Sequence, residues 1–186
     1  MKKILQKNEK VLRKIAQEVP LEDIQTPKIQ KILKEMSASL KSQSDGVAIA
    51  APQIGYNLRI FVVSGKIFQT EFLERGVSQD TPPRPTGTPP SQVERTPKDL
   101  VFINPKISRL SRDKDWVPEG CLSVRWLYGK TFRSKKATAT AYDENGKKFT
   151  RGATGLLAQI FQHETDHLNG ILFIDHAKEI KEELPQ

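Results

Sequence analysis

Between residues 26 and 41, Ile29, Ile32, Leu33, Met36 and Leu40 recur at three- and four-residue spacing among lysines and serines, the period of an amphipathic helix. Thr26 suits its N-cap and Pro27 its first turn, and Ser44-Asp45-Gly46 marks its end. A small-residue segment follows, Val47-Ala48-Ile49-Ala50-Ala51-Pro52-Gln53-Ile54-Gly55, punctuated by proline and glycine. Leu58-Arg59-Ile60-Phe61-Val62-Val63 then reads as a strand, and Leu100-Val101-Phe102-Ile103-Asn104-Pro105 resumes that character, continued by Ile107 and Leu110. Residues 137–142 alternate alanine with threonine or tyrosine and meet the turn Asp143-Glu144-Asn145-Gly146, which predicts a hairpin with 147–150. Thr154-Gly155 opens a second helix, on which Leu156, Gln159, Ile160, His163 and His167 share a face. The first twenty residues mix charge with Ile4, Leu5, Val11, Leu12, Ile15 and Val19, a pattern for an arm or short helix laid on the body. The charged tail, 178–183, is a candidate for a short helix.

One stretch breaks the pattern. Six of the 12 prolines fall between Pro82 and Pro97, among Thr, Ser, Gly and Arg, and proline removes the donors that a sheet interior needs. Residues 64–99 are therefore expected to form an insertion loop with at most a short element near 67–73, either a solvated connector or a flap over substrate. The 186 residues otherwise suit a single catalytic domain, 1–186, with room for a sizeable core.

Composition narrows the class. The mean hydropathy of −0.52 and the lack of an apolar run near the roughly 18 residues of a membrane span point away from the bilayer. Met1-Lys2-Lys3-Ile4-Leu5-Gln6-Lys7-Asn8 carries charge but no apolar segment behind it, so no secretory signal is expected and the chain reads as cytoplasmic. A monomer is expected. A single cysteine excludes an internal disulfide framework. The net charge of +8 is spread over the N-terminus, 125–136 and 147–151, with no basic run interleaved with aromatics, so no specific nucleic-acid partner is expected. A solvated basic face explains it, with weak attraction to an RNA-rich machine as the alternative.

The chemistry lies in Gln162-His163-Glu164-Thr165-Asp166-His167. On a helix, His163 and His167 project one turn apart and can grip one metal ion, while Glu164 can reach a water activated by that metal and shuttle its proton. The plain alternative is an amphipathic helix that happens to carry two of the three histidines. A catalytic site wants a third protein ligand. In the metzincin pattern a histidine would stand at position 173, which is Phe173 here, and the glutamates at 179, 182 and 183 lie in a polar tail. Cys121 is the better candidate, because a thiolate with two imidazoles suits zinc or ferrous iron. Taken alone, a small buried core cysteine is an equal reading.

Three separated motifs then agree with one family. Gly46-Val47-Ala48-Ile49-Ala50-Ala51-Pro52-Gln53 matches G-x-G-x-A-A-x-Q except at Ala48; Glu119-Gly120-Cys121-Leu122-Ser123 and the segment 162–167 match E-G-C-L-S and Q-H-E-x-D-H without change. In order and approximate spacing, the chain resembles peptide deformylase. The resemblance implies an α+β fold, mixed or antiparallel sheets wrapped around a central metal-binding helix, and removal of the N-formyl group from N-formylated nascent peptides. It implies a site in which Cys121, His163 and His167 hold one Fe2+, with Zn2+ or Ni2+ able to substitute. Glu164 would be the proton carrier, and the Gln53 side-chain amide and Leu122 backbone N–H the oxyanion donors. Val47, Ala48, Leu156 and Ile160 are expected to line the methionine pocket, with Gln159 either in that wall or turned aside. Asp166 is expected to orient a ligand imidazole or to sit in a polar network, and Glu119 and Arg133 can pair to brace the cysteine loop. The chain departs from the pattern at Ala48, which would be strained if the position needs φ above zero, and at Arg125-Trp126-Leu127-Tyr128-Gly129 in place of the usual proline.

Overall fold

A computed structural model describes residues 2–68 and 97–184. Among these described residues, two antiparallel sheets and two α-helices make up an α+β fold. The larger sheet has the strand order β1-β2-β3-β6-β7, from β1 (Ala48–Ala50), β2 (Ile60–Val63), β3 (Leu100–Leu110), β6 (Lys136–Tyr142) and β7 (Lys148–Thr154). The smaller one is β4-β5-β8, from β4 (Lys114–Gly120), β5 (Leu127–Ser134) and β8 (Lys178–Glu182).

The helices explain the apolar strands. Helix α1 (Pro27–Lys41) lies against one face of the large sheet, where Ile29, Leu33, Met36 and Leu40 join Ile49, Ile60, Val62 and Ile103. Helix α2 (Gly155–Leu168) covers the other, where Phe161 and Leu168 join Phe61, Val63 and Phe102. Strand β2 has successive residues on opposite faces and both faces covered, so it reads as an unbroken apolar run. Ala137, Ala139 and Ala141 of β6 point at α2, and their small side chains let the helix close on the sheet. Phe61, Phe102 and Phe161 fill the space between, with centroids 4.5 Å apart for the first pair and 5.0 Å for the second. Burying one such ring contributes about 1.5–3 kcal/mol.

Helix α2 is therefore central: it also contacts β5 of the small sheet. The N-terminal arm is a single 3-10 turn, Lys10–Arg13, within extended chain. It is tied down by the Asn104 side chain, whose Oδ1 accepts from the Val19 N–H at 2.8 Å and whose Nδ2 donates to the Val19 carbonyl at 2.7 Å. The expected tail helix is not formed. Residues 178–182 make strand β8 instead, because pairing with β5 (Leu127↔Glu182, Tyr128↔Lys181) satisfies their backbone at the sheet's edge. Of the segment 64–99, Gly65–Phe68 is a 3-10 turn and 97–99 lead into β3; the rest of the expected insertion, most of the 67–73 element included, lies outside the described residues. No helix among the described residues is long and apolar enough to cross a membrane.

Candidate metal centre

Three elements converge on one point. Helix α2 starts after Thr154 and runs unbroken through His163 and His167, whose rings meet edge to face with centroids 4.9 Å apart. Cys121 stands where β4 ends at Gly120, in the tight connection closed by the Val124 N–H donating to the Cys121 carbonyl at 3.0 Å. Its Sγ lies 3.1 Å from His167 Nε2, and the ligand atoms of Cys121, His163 and His167 all fall within 4.8 Å of one another. One sulfur and two imidazole nitrogens, partly or fully buried and this close, fit a divalent transition metal. Phe173, at the position a metzincin would give to histidine, is 1% exposed, and its ring packs 6.5 Å from that of His163.

A charged chain braces the histidine. His163 Nδ1 shares a 2.6 Å hydrogen bond with Glu119 Oε1, and Arg133 grips the same carboxylate with both Nε (3.0 Å) and Nη2 (2.8 Å). The Thr131 hydroxyl donates to Glu119 Oε2 at 2.6 Å. Burial alone would push the Glu119 carboxyl up, but the hydrogen bonds from His163 and Arg133 outweigh it and hold the group well below the usual carboxylate range. The expected Glu119–Arg133 pair thus forms, and Glu119, not Asp166, is the residue that meets a ligand imidazole. Asp166 takes the polar-network role, accepting from Arg133 Nη1 at 2.6 Å.

Glu164 differs from every other carboxylate nearby. It is 3% exposed, and its Oε2 has no hydrogen-bond partner among the described residues. Burial first, then the Glu119 and Asp166 charges, raise its pKa to about 7, against an opposing pull from His163. A carboxyl with such a pKa can exchange a proton near neutrality.

Gln53 sits in a 3-10 turn, Ala51–Ile54. Its Oε1 accepts the Ala50 N–H at 2.7 Å, which aims Nε2 at the Ser123 hydroxyl (3.1 Å) and the Cys121 sulfur (3.6 Å). Ser123 was not singled out by sequence reasoning beyond its place in the motif; it is fully buried, and its backbone N–H donates to Cys121 Sγ at 3.4 Å. The motif E-G-C-L-S was the signal that could have found it.

These groups open into a cavity of about 330 Å³. Leu122 lines it beside Cys121, and Val47, Ala48, Leu156 and Ile160 form apolar walls. Ala48 is 6% exposed in strand β1, paired with Val63, and the positive-φ residues other than glycine are Asn104 and Glu179 among the described residues, so alanine is unstrained there. Gln159 lines the cavity too, while its amide turns aside to the backbone and donates to the Pro118 carbonyl at 2.8 Å. The 125–128 segment makes the opposite rim, where Arg125 grips Asp45 through Nη1 (2.5 Å) and Nη2 (2.9 Å) and lies over the Trp126 ring.

Residues 1–183 match the family model described as Polypeptide deformylase. The chain belongs to the polypeptide deformylase family. This is a family of metal-dependent hydrolases that remove the N-formyl group from nascent polypeptides. Peptide deformylase 2 of Clostridium acetobutylicum is 34% identical over 180 residues, covering 96% of this chain and 97% of that one. The chloroplastic peptide deformylase 1A of Solanum lycopersicum is 34% identical over 94% of this chain, and peptide deformylase 2 of Gloeobacter violaceus 37% over 81%. The match spans 59% and 66% of the lengths of those two relatives. Among solved structures, the peptide deformylase of Legionella pneumophila superposes with a TM-score of 0.74 at 30% identity, covering 96% of this chain and 87% of that one. The peptide deformylase of Acinetobacter baumannii bound to Met-Ala-Ser gives 0.73 at 27% identity, covering 95% and 99%.

Proposed function

We propose that this chain is a cytoplasmic, monomeric, single-domain hydrolase, 1–186, that removes the formyl group from N-terminal formyl-methionine. The observation that carries the reading is Glu164: a buried carboxyl with an unpartnered oxygen, beside a thiol and two imidazoles that converge within 4.8 Å. Cys121, His163 and His167 would hold the metal, with Fe2+ as the native ion and Zn2+ or Ni2+ able to replace it, a preference that the soft sulfur donor and the resemblance support. When bound, the metal supplies Lewis-acid polarisation of the formyl carbonyl and acidifies the attacking water.

The chain's own residues do the rest. Glu164 takes the proton of the attacking water and returns one to the departing amine. Gln53 Nε2, already aimed at the site by the Ala50 N–H, and the Leu122 backbone N–H donate to the oxygen as charge develops on it. Glu119 fixes the His163 ring so that its other nitrogen faces inward. Val47, Ala48, Leu156 and Ile160 take up the methionine side chain. A peptide such as the Met-Ala-Ser bound to the Acinetobacter relative is the expected product class. N-formylated nascent peptides are the substrates, and the ribosome a weak partner.

The test is release of amine from formyl-Met-Ala-Ser by the iron-loaded chain, assayed without oxygen and with the metal quantified, alongside Glu164→Ala. Turnover by the wild type and its loss in a variant that still carries metal are expected. Full activity in the metal-loaded Glu164→Ala chain would sink the assigned mechanism.

A further inference from the structure

The small sheet turns one face toward the metal helix and the other to solvent. The β4–β5 register sets Trp116 opposite Phe132, Pro118 opposite Lys130 and Gly120 opposite Tyr128, with Lys114 further along β4. Side chains alternate along a strand, so these residues share a face and Glu119, Thr131 and Arg133 take the inner one. On the outer face Trp116 is 40% and Phe132 52% exposed, with ring centroids 5.3 Å apart. Lys178 of β8 stands 4.7 Å over the Trp116 ring, and Lys114 5.7 Å from that of Phe132. Lys181 pairs opposite Tyr128, and Lys130 is held by Glu179 at 2.7 Å. Three strands that are separate in sequence thus assemble two adjacent exposed rings ringed by lysines. The linear sequence, with no basic run among aromatics, could not display this arrangement.

We propose that this outer face binds single-stranded RNA. Lys114, Lys178 and Lys181 would meet phosphates, and Trp116 and Phe132 would stack unpaired bases, so that the RNA offers a flat ring for each aromatic and a phosphate charge for each lysine. An acidic peptide offers the charge alone. The face also leads into the cleft: Pro118 and Tyr128 line the cavity, and Phe132 lies four residues along β5 from Tyr128, about 13 Å. RNA held here would keep the cleft near the point where nascent chains emerge, an advantage that rests on the deformylase reading; binding itself does not.

The experiment is fluorescence anisotropy of a labelled twelve-residue oligo(U) RNA titrated with metal-loaded chain at 50–300 mM salt, with Trp116→Ala, the pair Lys114→Glu/Lys178→Glu, and formyl-Met-Ala-Ser turnover in parallel. Binding is expected at low salt, weakened roughly tenfold by Trp116→Ala. The log–log salt slope is expected to be about −2, from about 0.7 per phosphate contacted, and to flatten in the lysine pair. Turnover of the free peptide is expected to be unchanged in all variants. Absence of RNA binding at 50 mM salt, equal binding by all three chains, or polyglutamate binding as tightly as the RNA would each overturn the proposal. Because turnover is read separately, a chain that binds RNA without deformylating refutes only the functional reading, and the converse refutes only this surface.

Discussion

Arg133→Met isolates the charged chain that ties the small sheet to α2. In the native chain the Arg133 side chain is 9% exposed and that of Glu119 3%, and the change removes two hydrogen bonds to Glu119 and one to Asp166. Breaking a buried ion pair from one side costs about 3–5 kcal/mol, mostly because the other charge stays buried and uncompensated. Thr131 and His163 still serve the Glu119 carboxylate, so the lower end, about 3 kcal/mol, applies. For a chain of 186 residues that lowers the melting midpoint by roughly 6–12 °C. The pH dependence has a definite sign. A carboxyl held below its ordinary value of 4.5 adds stability above that value and loses it as the pH falls toward the folded pKa. Without Arg133 there is less depression to lose, so the gap between the chains narrows as the pH drops below about 4.5. Thermal denaturation of both metal-free chains between pH 3.5 and 8 reads this directly. Chelator competition is expected to show metal affinity reduced about 10- to 100-fold, because the Glu119–His163 bond loses its anchor. Glu119→Gln combined with Arg133→Met removes both charges and is expected to regain most of the stability but not the affinity. An unshifted midpoint for Arg133→Met, or a double variant no more stable than the single one, would refute the electrostatic account.

Gln53→Ala is expected to lower kcat about a hundredfold or more with little change in KM, read with formyl-Met-Ala-Ser; an unaltered kcat would remove Gln53 from the oxyanion role. Glu164 has its pKa raised to about 7 from 4.5, so its contribution favours the fold below 4.5 and is lost as the pH rises through 7. Metal-free Glu164→Gln should therefore melt higher than metal-free wild type at pH 8 and no higher at pH 5; equal shifts at the two pH values would contradict the raised pKa. Gly170 has φ +74°, and an added Cβ would lie 2.7 Å from the Arg13 carbonyl oxygen, so Gly170→Ala is expected to cost more than about 1 kcal/mol in urea denaturation. An unchanged midpoint would show that the arm yields.

The helices were legible because their signals are local. Thr26, Pro27 and the three-and-four spacing gave α1 its limits, and H-E-x-x-H with Cys121 gave the donors that α2 and the end of β4 bring together. The small sheet was not legible as a unit: β4 and β5 lack clean alternation, since Glu119, Thr131 and Arg133 point inward for the metal site and not for an apolar core. Residues 178–182 carry helix formers and a single branched residue, Ile180, so only the pairing with β5 makes them a strand. The concern over Ala48 dissolved because the position is ordinary β-strand, and the one over 125–128 became a charged rim, Arg125 on Asp45. Gln159 could not be assigned from the helical wheel, because its partner is a carbonyl on β4.

Strands β2 and β3 pair in register from Val63↔Leu100 inward, and just beyond that pair the Gly65 N–H donates to Asp99 Oδ1 at 3.1 Å. The Pro97 carbonyl approaches so closely that a Cβ on Gly65 would sit 1.7 Å from its oxygen. The two described ends of the segment, at Gly65 and at Pro97 to Asp99, are therefore latched directly to each other. What the latch secures is the start of the β2–β3 register, and with it the sheet face against which α2 and its histidines lie.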